Sequence, residues 1–265
     1  MIKIIYWHIK QRKMFIFWWS LAIIGFIGLN LAFYPSFKDQ ADQLEKAFSQ
    51  LSDTAIAFFS DTGEFFSPEG YLSSQVFYLV LPMLLSILSI TLSNSQFAKE
   101  ERDGTLELLL SKPISRIKLL NVKIASSLSI LIGIGSIATL SIIVICKIVK
   151  IDVPLLNIAL ASLMSTIFAI TIASITYMLN ALGSFGRAAS IGIASAVALV
   201  GYILSSLLTV VSWLEWPAKA LPFYYYRPAE ILTSSYNWRN LAYYLMVIFS
   251  CYIISIFAFR KRDIG

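Results

Sequence analysis

Long apolar runs separated by short polar connections dominate this sequence. Six of the runs are long enough to cross a hydrocarbon core of about 30 Å at about 1.5 Å per helical residue. They are continuous in Leu, Ile, Ala and Phe rather than alternating, which favours helices over the strands of a membrane barrel. The pattern predicts an all-α polytopic membrane protein, a single transmembrane domain over residues 1–265. Its predicted spans cover residues 14–34, 71–94, 124–146, 154–179, 189–212 and 241–259.

Composition and charge agree with this class and add an orientation. Hydrophobic residues make up 58% of the chain and charged residues 14%, which leaves too little polar surface for a soluble protein. Fourteen of the 21 Lys and Arg lie on the side of the N-terminus, and ten of the 15 Asp and Glu lie on the other side. By the positive-inside rule, both termini are predicted to be cytoplasmic in a multi-pass protein of the plasma membrane. The net charge of +6 is dispersed over short connections and does not indicate nucleic-acid binding.

The interiors of the predicted spans contain no Asp, Glu, Lys, Arg or His, which disfavours an ion-coupled carrier that powers itself. The chain also lacks the glycine-rich loop that holds ATP phosphates. Cys146 and Cys251 have no ligand-like spacing, so we predict no metal site, and the absence of an intramembrane acid or base disfavours a membrane enzyme. Energy for any transport is therefore expected to come from a partner.

The connection 95–123 has the most ordered polar pattern of the chain. Asp103 suits the N-cap of a short helix, and Pro113 ends it. Ser115 can cap a second helix that continues into the third span. One face of the short helix carries Leu106, Leu109 and Leu110. The pattern predicts a helical hairpin that docks into a groove on a partner, and the alternative is a capped linker whose leucines rest on the membrane surface.

Residues 100–116, which read EERDGTLELLLSKPISR, resemble the E-x-x-x-G-T-L-E-x-L-L-x-x-P-[IV]-S-R signature of type-2 ABC transporter permeases. Trp18-Trp19-Ser20, Tyr34-Pro35-Ser36, the stretch 67–72 and the ending 259–264 are similar to the branch of that family associated with antibiotic export. The resemblance implies a six-span subunit that dimerises with a second copy or a related permease. It also implies two separate ATPase subunits as partners.

The resemblance further implies a membrane-spanning permease subunit of an ATP-driven exporter, which translocates an apolar or amphipathic antibiotic, lipid or peptide. Such a subunit is not an enzyme and binds no cofactor, because ATP and Mg sit on the partner. The hairpin would be the coupling helix, with the coupling residues Glu101, Asp103, Gly104, Thr105, Leu106, Glu107, Leu109, Leu110, Pro113 and Arg116. A passive channel and a non-transporting membrane assembly protein are the alternatives.

Two further segments are predicted to lie at membrane surfaces. Residues 1–13 alternate apolar and basic positions at helical spacing, as in an interfacial elbow helix. After the outer loop 35–70, the second outer segment, 213–239, is crowded with Trp, Tyr and Pro, which predicts broken re-entrant or interfacial helices. Its candidate outer-gate residues are Glu215, Pro217, Tyr224, Tyr225 and Glu230.

Small residues form a stripe that permits close helix approach. In and just before the fifth span, they recur every four residues at Ser184, Ala188, Gly192 and Ala196. A shorter patch in the first span consists of Gly25 and Gly28. The family resemblance favours a homodimer interface here, and packing within one subunit is the alternative. In the second span, Pro82 is predicted to kink the helix because it lacks a backbone donor.

Overall fold

The computed structural model describes residues 2–40, 46, 66–102, 116–183, 186–208 and 210–261. Within these ranges the chain is helical, and no strand is present. Six helical segments are long and apolar enough to cross a membrane. The predicted class, an all-α polytopic membrane protein, is confirmed.

The six spans agree with the sequence pattern in number and order. The second is built from three consecutive pieces, and the others are single helices. In chain order they are Lys13–Ala32; Pro68–Leu72, the π-helical turn Ser73–Phe77 and Val80–Arg102; Arg116–Val149; Leu155–Leu182; Arg187–Leu207; and Leu241–Lys261. The 34 described residues of the third span extend over about 51 Å, and its predicted cap, Ser115, lies outside the described residues.

Short helices flank the spans where the composition predicted them. Ile2–Gln11 precedes the first span, and Tyr34–Asp39 follows it after a turn at Phe33. Between the fifth and sixth spans the chain forms two α-helical and three 3₁₀ pieces: Ser212–Leu214, Glu215–Lys219, Pro222–Tyr225, Pro228–Leu232 and Trp238–Asn240. The broken helices expected in this segment are therefore present.

Six crossings return the chain to the side on which it began. We call the side where the first span begins and the sixth ends the terminal face, and the opposite side the distal face. The fourth span contacts the second, third, fifth and sixth. In the most apolar window of the second and fourth spans, 67% and 61% of residues are buried, against 17% in the first and sixth. The second and fourth spans therefore form the centre of the bundle.

The second span starts with a strong cap and is interrupted close to the distal face. The Ser67 hydroxyl accepts a hydrogen bond from the Gly70 amide at 2.9 Å, with Pro68 in the first turn, an arrangement typical of helix starts. Farther along, the Tyr78 amide donates to the Ser73 carbonyl over five residues. Pro82 has no proton to donate to the Tyr78 carbonyl. The kink expected at the proline is thus a break at residues 78–79, between the π-helical turn and Val80–Arg102.

The buried apolar residues form one large cluster and one small one. The large cluster joins all six spans, the sixth through Tyr244, to the short distal helices. The small cluster lies at the terminal face, between the third, fourth and sixth spans, and consists of Leu120, Tyr177, Ala181 and Phe259. A crevice lies next to the small cluster, between the same three spans.

Candidate functional site

The predicted coupling residues fall mostly between two described helices. Glu101 lies in the last turn of Val80–Arg102, and Arg116 is the first residue of Arg116–Val149. The remaining members lie outside the described residues: Asp103, Gly104, Thr105, Leu106, Glu107, Leu109, Leu110 and Pro113. The helices that bracket them are unbroken, so their contacts show where each end of segment 103–115 joins the bundle.

Near the terminal face, three side-chain hydrogen bonds connect four spans. The Asn180 amide donates to Asn94 Oδ1 at 3.2 Å, which joins the fourth span to the second. The Tyr177 hydroxyl donates to Ser127 Oγ at 2.6 Å, which joins the fourth to the third. The Tyr252 hydroxyl donates to Asn121 Oδ1 at 3.0 Å, which joins the sixth to the third. We call these six residues the polar cluster.

Two basic residues lie beside the polar cluster. Lys123 is only 1% exposed, and its carbonyl oxygen is 3.3 Å from the Tyr177 hydroxyl. Arg12, half-buried in the turn before the first span, interacts electrostatically with Tyr177. Burial lowers the pKa of the Arg12 guanidinium and the Tyr177 interaction raises it, but an arginine stays protonated in proteins. The helices that bracket segment 103–115 therefore enter a polar region that contains two basic side chains.

The sequence did not reveal this region. Lys123 stands just before an apolar run, where a lysine ordinarily extends to the membrane surface. Its burial results from neighbouring helices and has no signature in the sequence. A partial signal existed in Asn94, Asn121 and Asn180, three amides close to the terminal ends of three spans, because amides at membrane depth commonly bond across helices.

At the distal face, buried aromatic rings connect the second, fourth and fifth spans to the short helices. Phe223 is the centre: its ring lies 5.5–6.0 Å from four other rings. The aromatic cluster consists of Phe223 with Tyr78, Phe168, Tyr202 and Tyr226. Most of the rings meet edge to face, an arrangement favoured by the aromatic quadrupole, and each is at most 7% exposed.

Tyr226 also holds the broken part of the second span. Its hydroxyl donates to the Phe77 carbonyl at 2.9 Å and lies 2.6 Å from Ser165 Oγ of the fourth span. Next to it, the Tyr78 hydroxyl lies 2.9 Å from Ser206 Oγ of the fifth span. The interruption at residues 78–79 is thus fixed on both sides by buried hydrogen bonds, which compensate for irregular backbone at membrane depth.

The predicted outer-gate residues lie at the surface beside this cluster. Glu215 forms an ion pair with Lys219 at 2.8 Å and accepts a hydrogen bond from the Tyr224 hydroxyl at 3.3 Å. Tyr225 stacks on Tyr243 with ring centroids 4.1 Å apart. Pro217 is exposed, and Glu230 is half-buried. Sequence reasoning selected Tyr224 and Tyr225, whereas the buried contacts are made by their neighbours Phe223 and Tyr226.

The stripe of small residues faces outward from the bundle. Ala188, Gly192 and Ala196 are exposed, while the buried face of the fifth span carries Ser190 and Ala194. A Cβ added at Gly192 or at Gly25 would meet nothing within 4 Å, and one at Gly28 would lie 3.8 Å from Ile145. Ser184 lies outside the described residues. Among the described residues, Ala188, Gly192 and Ala196 are therefore not packed inside the subunit, and the homodimer interface stays a prediction.

Among the described residues, no group of three or more His, Cys, Asp and Glu side chains is close enough to hold a metal ion. Cys146 and Cys251 are buried and unbonded to each other. Both lie within apolar helices and behave as small hydrophobic residues.

The six apolar helices define a multi-pass membrane protein. A family model described as "ABC-2 family transporter protein" matches residues 6–264, and the chain belongs to that family. It is therefore a permease, the membrane subunit of an ABC transporter, and its ATPase is a separate partner subunit. Comparison with curated proteins gave no match.

Proposed function

We propose that this subunit exports an apolar or amphipathic compound, such as an antibiotic, a lipid or a peptide, across the plasma membrane. Two ABC ATPase subunits bind ATP and Mg²⁺ and supply the energy. The terminal face is cytoplasmic, with both termini inside, as the excess of basic residues on that side predicts. Membership of the family over nearly the whole chain is the observation that carries the proposal.

Segment 103–115 couples the ATPase to the bundle. Two continuous helices support this role: the described helices include residues 95–102 and 116–123, beyond the predicted membrane part of each span. Eight helical residues correspond to about 12 Å. A displacement of the segment by the ATPase would move two continuous helices, whose next hydrogen bonds to other spans are Asn94 with Asn180 and Asn121 with Tyr252.

ATP turnover and export by the reconstituted complex test this coupling role. Leu109→Asp and Glu107→Ala are expected to lower ATPase binding or to separate ATP turnover from export. The matched controls are Leu156→Asp and Asp152→Ala, which change exposed residues towards the distal face. If the two loop variants bind the ATPase and export as well as wild type, the segment does not couple.

The cytoplasmic position of the terminal face has its own test. Lys261→Cys and Trp216→Cys place a thiol at each face, and the two natural cysteines are buried. A membrane-impermeant maleimide added to intact cells is expected to label Trp216→Cys only. Labelling of Lys261→Cys alone would reverse the orientation.

Two copies of the chain associate through the first and fifth spans. Both contact the second span, and both present glycines without a neighbour inside the subunit. Gly192→Leu is expected to reduce cross-linking between copies in the membrane, because a large side chain prevents close approach. Ala242→Leu, at an exposed position of the sixth span, is the control. Equal cross-linking of both variants would exclude this interface.

A further inference from the structure

A crevice lies between the third, fourth and sixth spans, in the half of the bundle towards the terminal face. Its volume is about 210 Å³. Leu128, Ser174 and Ile248 line it, one from each span, together with Tyr177 and Tyr252. The small hydrophobic cluster that contains Leu120 and Phe259 joins the same three spans at the terminal face. The spans are therefore in contact at their ends and leave a gap farther into the membrane.

The crevice opens on the side of the bundle. Leu128, Ile248 and Tyr252 are only half-buried, whereas Ala173 at the back is 4% exposed. The surrounding surface of the sixth span is apolar and exposed, with Leu245 and Phe249 at 60% and 65%. All three walls belong to membrane-spanning helices. The opening therefore faces lipid hydrocarbon rather than water.

The lining offers no polar group that needs a ligand. The hydroxyls of Ser174 and Ser255 donate to backbone carbonyls of their own helices, at 2.7 Å each. Those of Tyr177 and Tyr252 donate to Ser127 and Asn121, respectively. A ligand that carried a polar group into the crevice would lose hydration without gaining a partner. The chemistry of the walls selects a hydrocarbon.

The volume limits the size of that hydrocarbon. A cavity of roughly 150 Å³ holds benzene, and drug-sized ligands occupy pockets of roughly 300–1,000 Å³. A space of about 210 Å³ fits part of one hydrocarbon chain and is too small for a bulky ring system. Because the crevice opens sideways, the rest of a long molecule can remain in the bilayer.

The basic residues at the terminal face indicate which headgroup is attached to the hydrocarbon chain. Two of the three walls end in basic sequence there: the third span begins with Arg116 and Lys118, and the sixth ends with Arg260 and Lys261. Lys118 and Arg260 are exposed. Basic residues at a membrane surface attract anionic lipid headgroups.

We propose that this crevice binds one acyl chain of an anionic phospholipid, whose phosphate lies at the terminal face near Lys118 and Arg260. The site is distinct from the small-residue stripe of the fifth span and does not depend on the direction of transport. The bound chain fills the gap between the third and sixth spans, which meet otherwise at the small hydrophobic cluster and through Tyr252 and Asn121.

Photolabelling of the full-length protein in vesicles tests the site. The probe is phosphatidylglycerol with a diazirine in the middle of one acyl chain, and labelled residues are mapped by mass spectrometry. We expect labelling concentrated at the crevice walls around Ser174 and Tyr252. Ser174→Leu fills the crevice and should lose most of this labelling. Ser129→Leu makes the same change at an exposed position of the third span and should retain it.

Two further arms separate a specific site from ordinary contact with lipid. Ile248→Phe fills the crevice from another wall and should repeat the loss, so the conclusion does not depend on one variant. Phosphatidylcholine carrying the same diazirine should label the crevice of the wild-type protein less than phosphatidylglycerol does. Phosphatidylglycerol should also label the double variant Lys118→Gln and Arg260→Gln less than it labels the wild type. Uniform labelling of the lipid-facing surface, or unchanged labelling in both filled variants, would overturn the site. Equal labelling by the two lipids would overturn the role of charge.

Discussion

The two ends of the bundle are held together by different kinds of contact. At the distal face, four buried aromatic rings surround Phe223, and Tyr226 bonds to the break in the second span. At the terminal face, the described residues join four spans through three hydrogen bonds and a small apolar cluster, beside the crevice. The distal rings belong to the large buried cluster, so we expect the distal end to be the more rigid one.

This difference matches the place where the proposed coupling segment attaches. Hydrogen bonds between membrane helices contribute only about 0.6 kcal/mol each on average, whereas large buried aromatic side chains contribute about 3–5 kcal/mol when truncated. A moderate force applied through residues 103–115 would therefore rearrange the terminal end before the distal end. The predictions that follow test this ordering, and we expect the first to have the largest effect.

The centre of the aromatic cluster is expected to be the most sensitive position. Phe223→Ala removes a ring that is 1% exposed and contacts four others, and should lower the free energy of unfolding by about 3–5 kcal/mol. Unfolding in mixed micelles, followed by tryptophan fluorescence, measures the change. Trp216→Ala, at an 84% exposed ring in the same segment, should alter stability by less than about 0.5 kcal/mol. Similar losses in both variants would show that the cluster is not the rigid part.

A second change tests the hydroxyl that holds the broken helix. Tyr226→Phe keeps the ring but leaves the Phe77 carbonyl without its 2.9 Å donor, which should cost about 1–3 kcal/mol because the site is buried. Tyr224→Phe removes an exposed bond to Glu215 and should be nearly neutral. Amide hydrogen exchange across residues 73–82 should rise in Tyr226→Phe only. An unchanged exchange rate there would mean that the break is stable without Tyr226.

Removal of a tyrosine hydroxyl at the terminal end should lower stability less than the same change at the distal end. It should lower export more. Tyr177→Phe removes the 2.6 Å bond to Ser127, at a cost of about 0.6–1.7 kcal/mol. We expect it to reduce the amount of substrate exported per ATP hydrolysed, since it loosens a contact of the polar cluster beside the coupling helices. Ser127→Ala and the double variant complete a mutant cycle. If export per ATP stays at the wild-type value, the polar cluster only stabilises the fold.

The distal and terminal ends also differ in how far the sequence predicted them. Apolar run length gave all six spans, and Pro82 indicated a disturbance in the second. The π-helical turn was not predictable, because contacts such as the bond from Tyr226 to Phe77, which are 149 positions apart, leave no local signal. The 3₁₀ turn Pro222–Tyr225 rotates the chain so that Phe223 and Tyr226 point inward, and a run of similar aromatic residues gives no hint of this register.

The exposed ion pair at the distal face should have the smallest effect on stability. The hydrogen bond and charge of Lys219 lower the pKa of Glu215, and Glu215 raises the pKa of Lys219 in turn. A lowered carboxylate pKa stabilises the fold above the usual value of 4.5, and this contribution disappears as the pH falls through the lowered pKa. A raised lysine pKa stabilises below the usual 10.5, and its contribution disappears as the pH rises through the raised pKa. Both contributions are thus complete between these two usual values.

Because both side chains are fully exposed, water and salt screen the pair, and Glu215→Gln should leave the midpoint of unfolding unchanged at pH 7. Lys219→Gln is the matched control. Export is measured in the same variants, since Glu215 is a predicted outer-gate residue. Unchanged stability with altered export would assign Glu215 to the transport path rather than to the rigid distal end. If Glu215→Gln lowered stability as much as Tyr177→Phe does, the expected order of effects would be wrong. A solvent-exposed ion pair would then contribute as much to stability as a buried hydrogen bond.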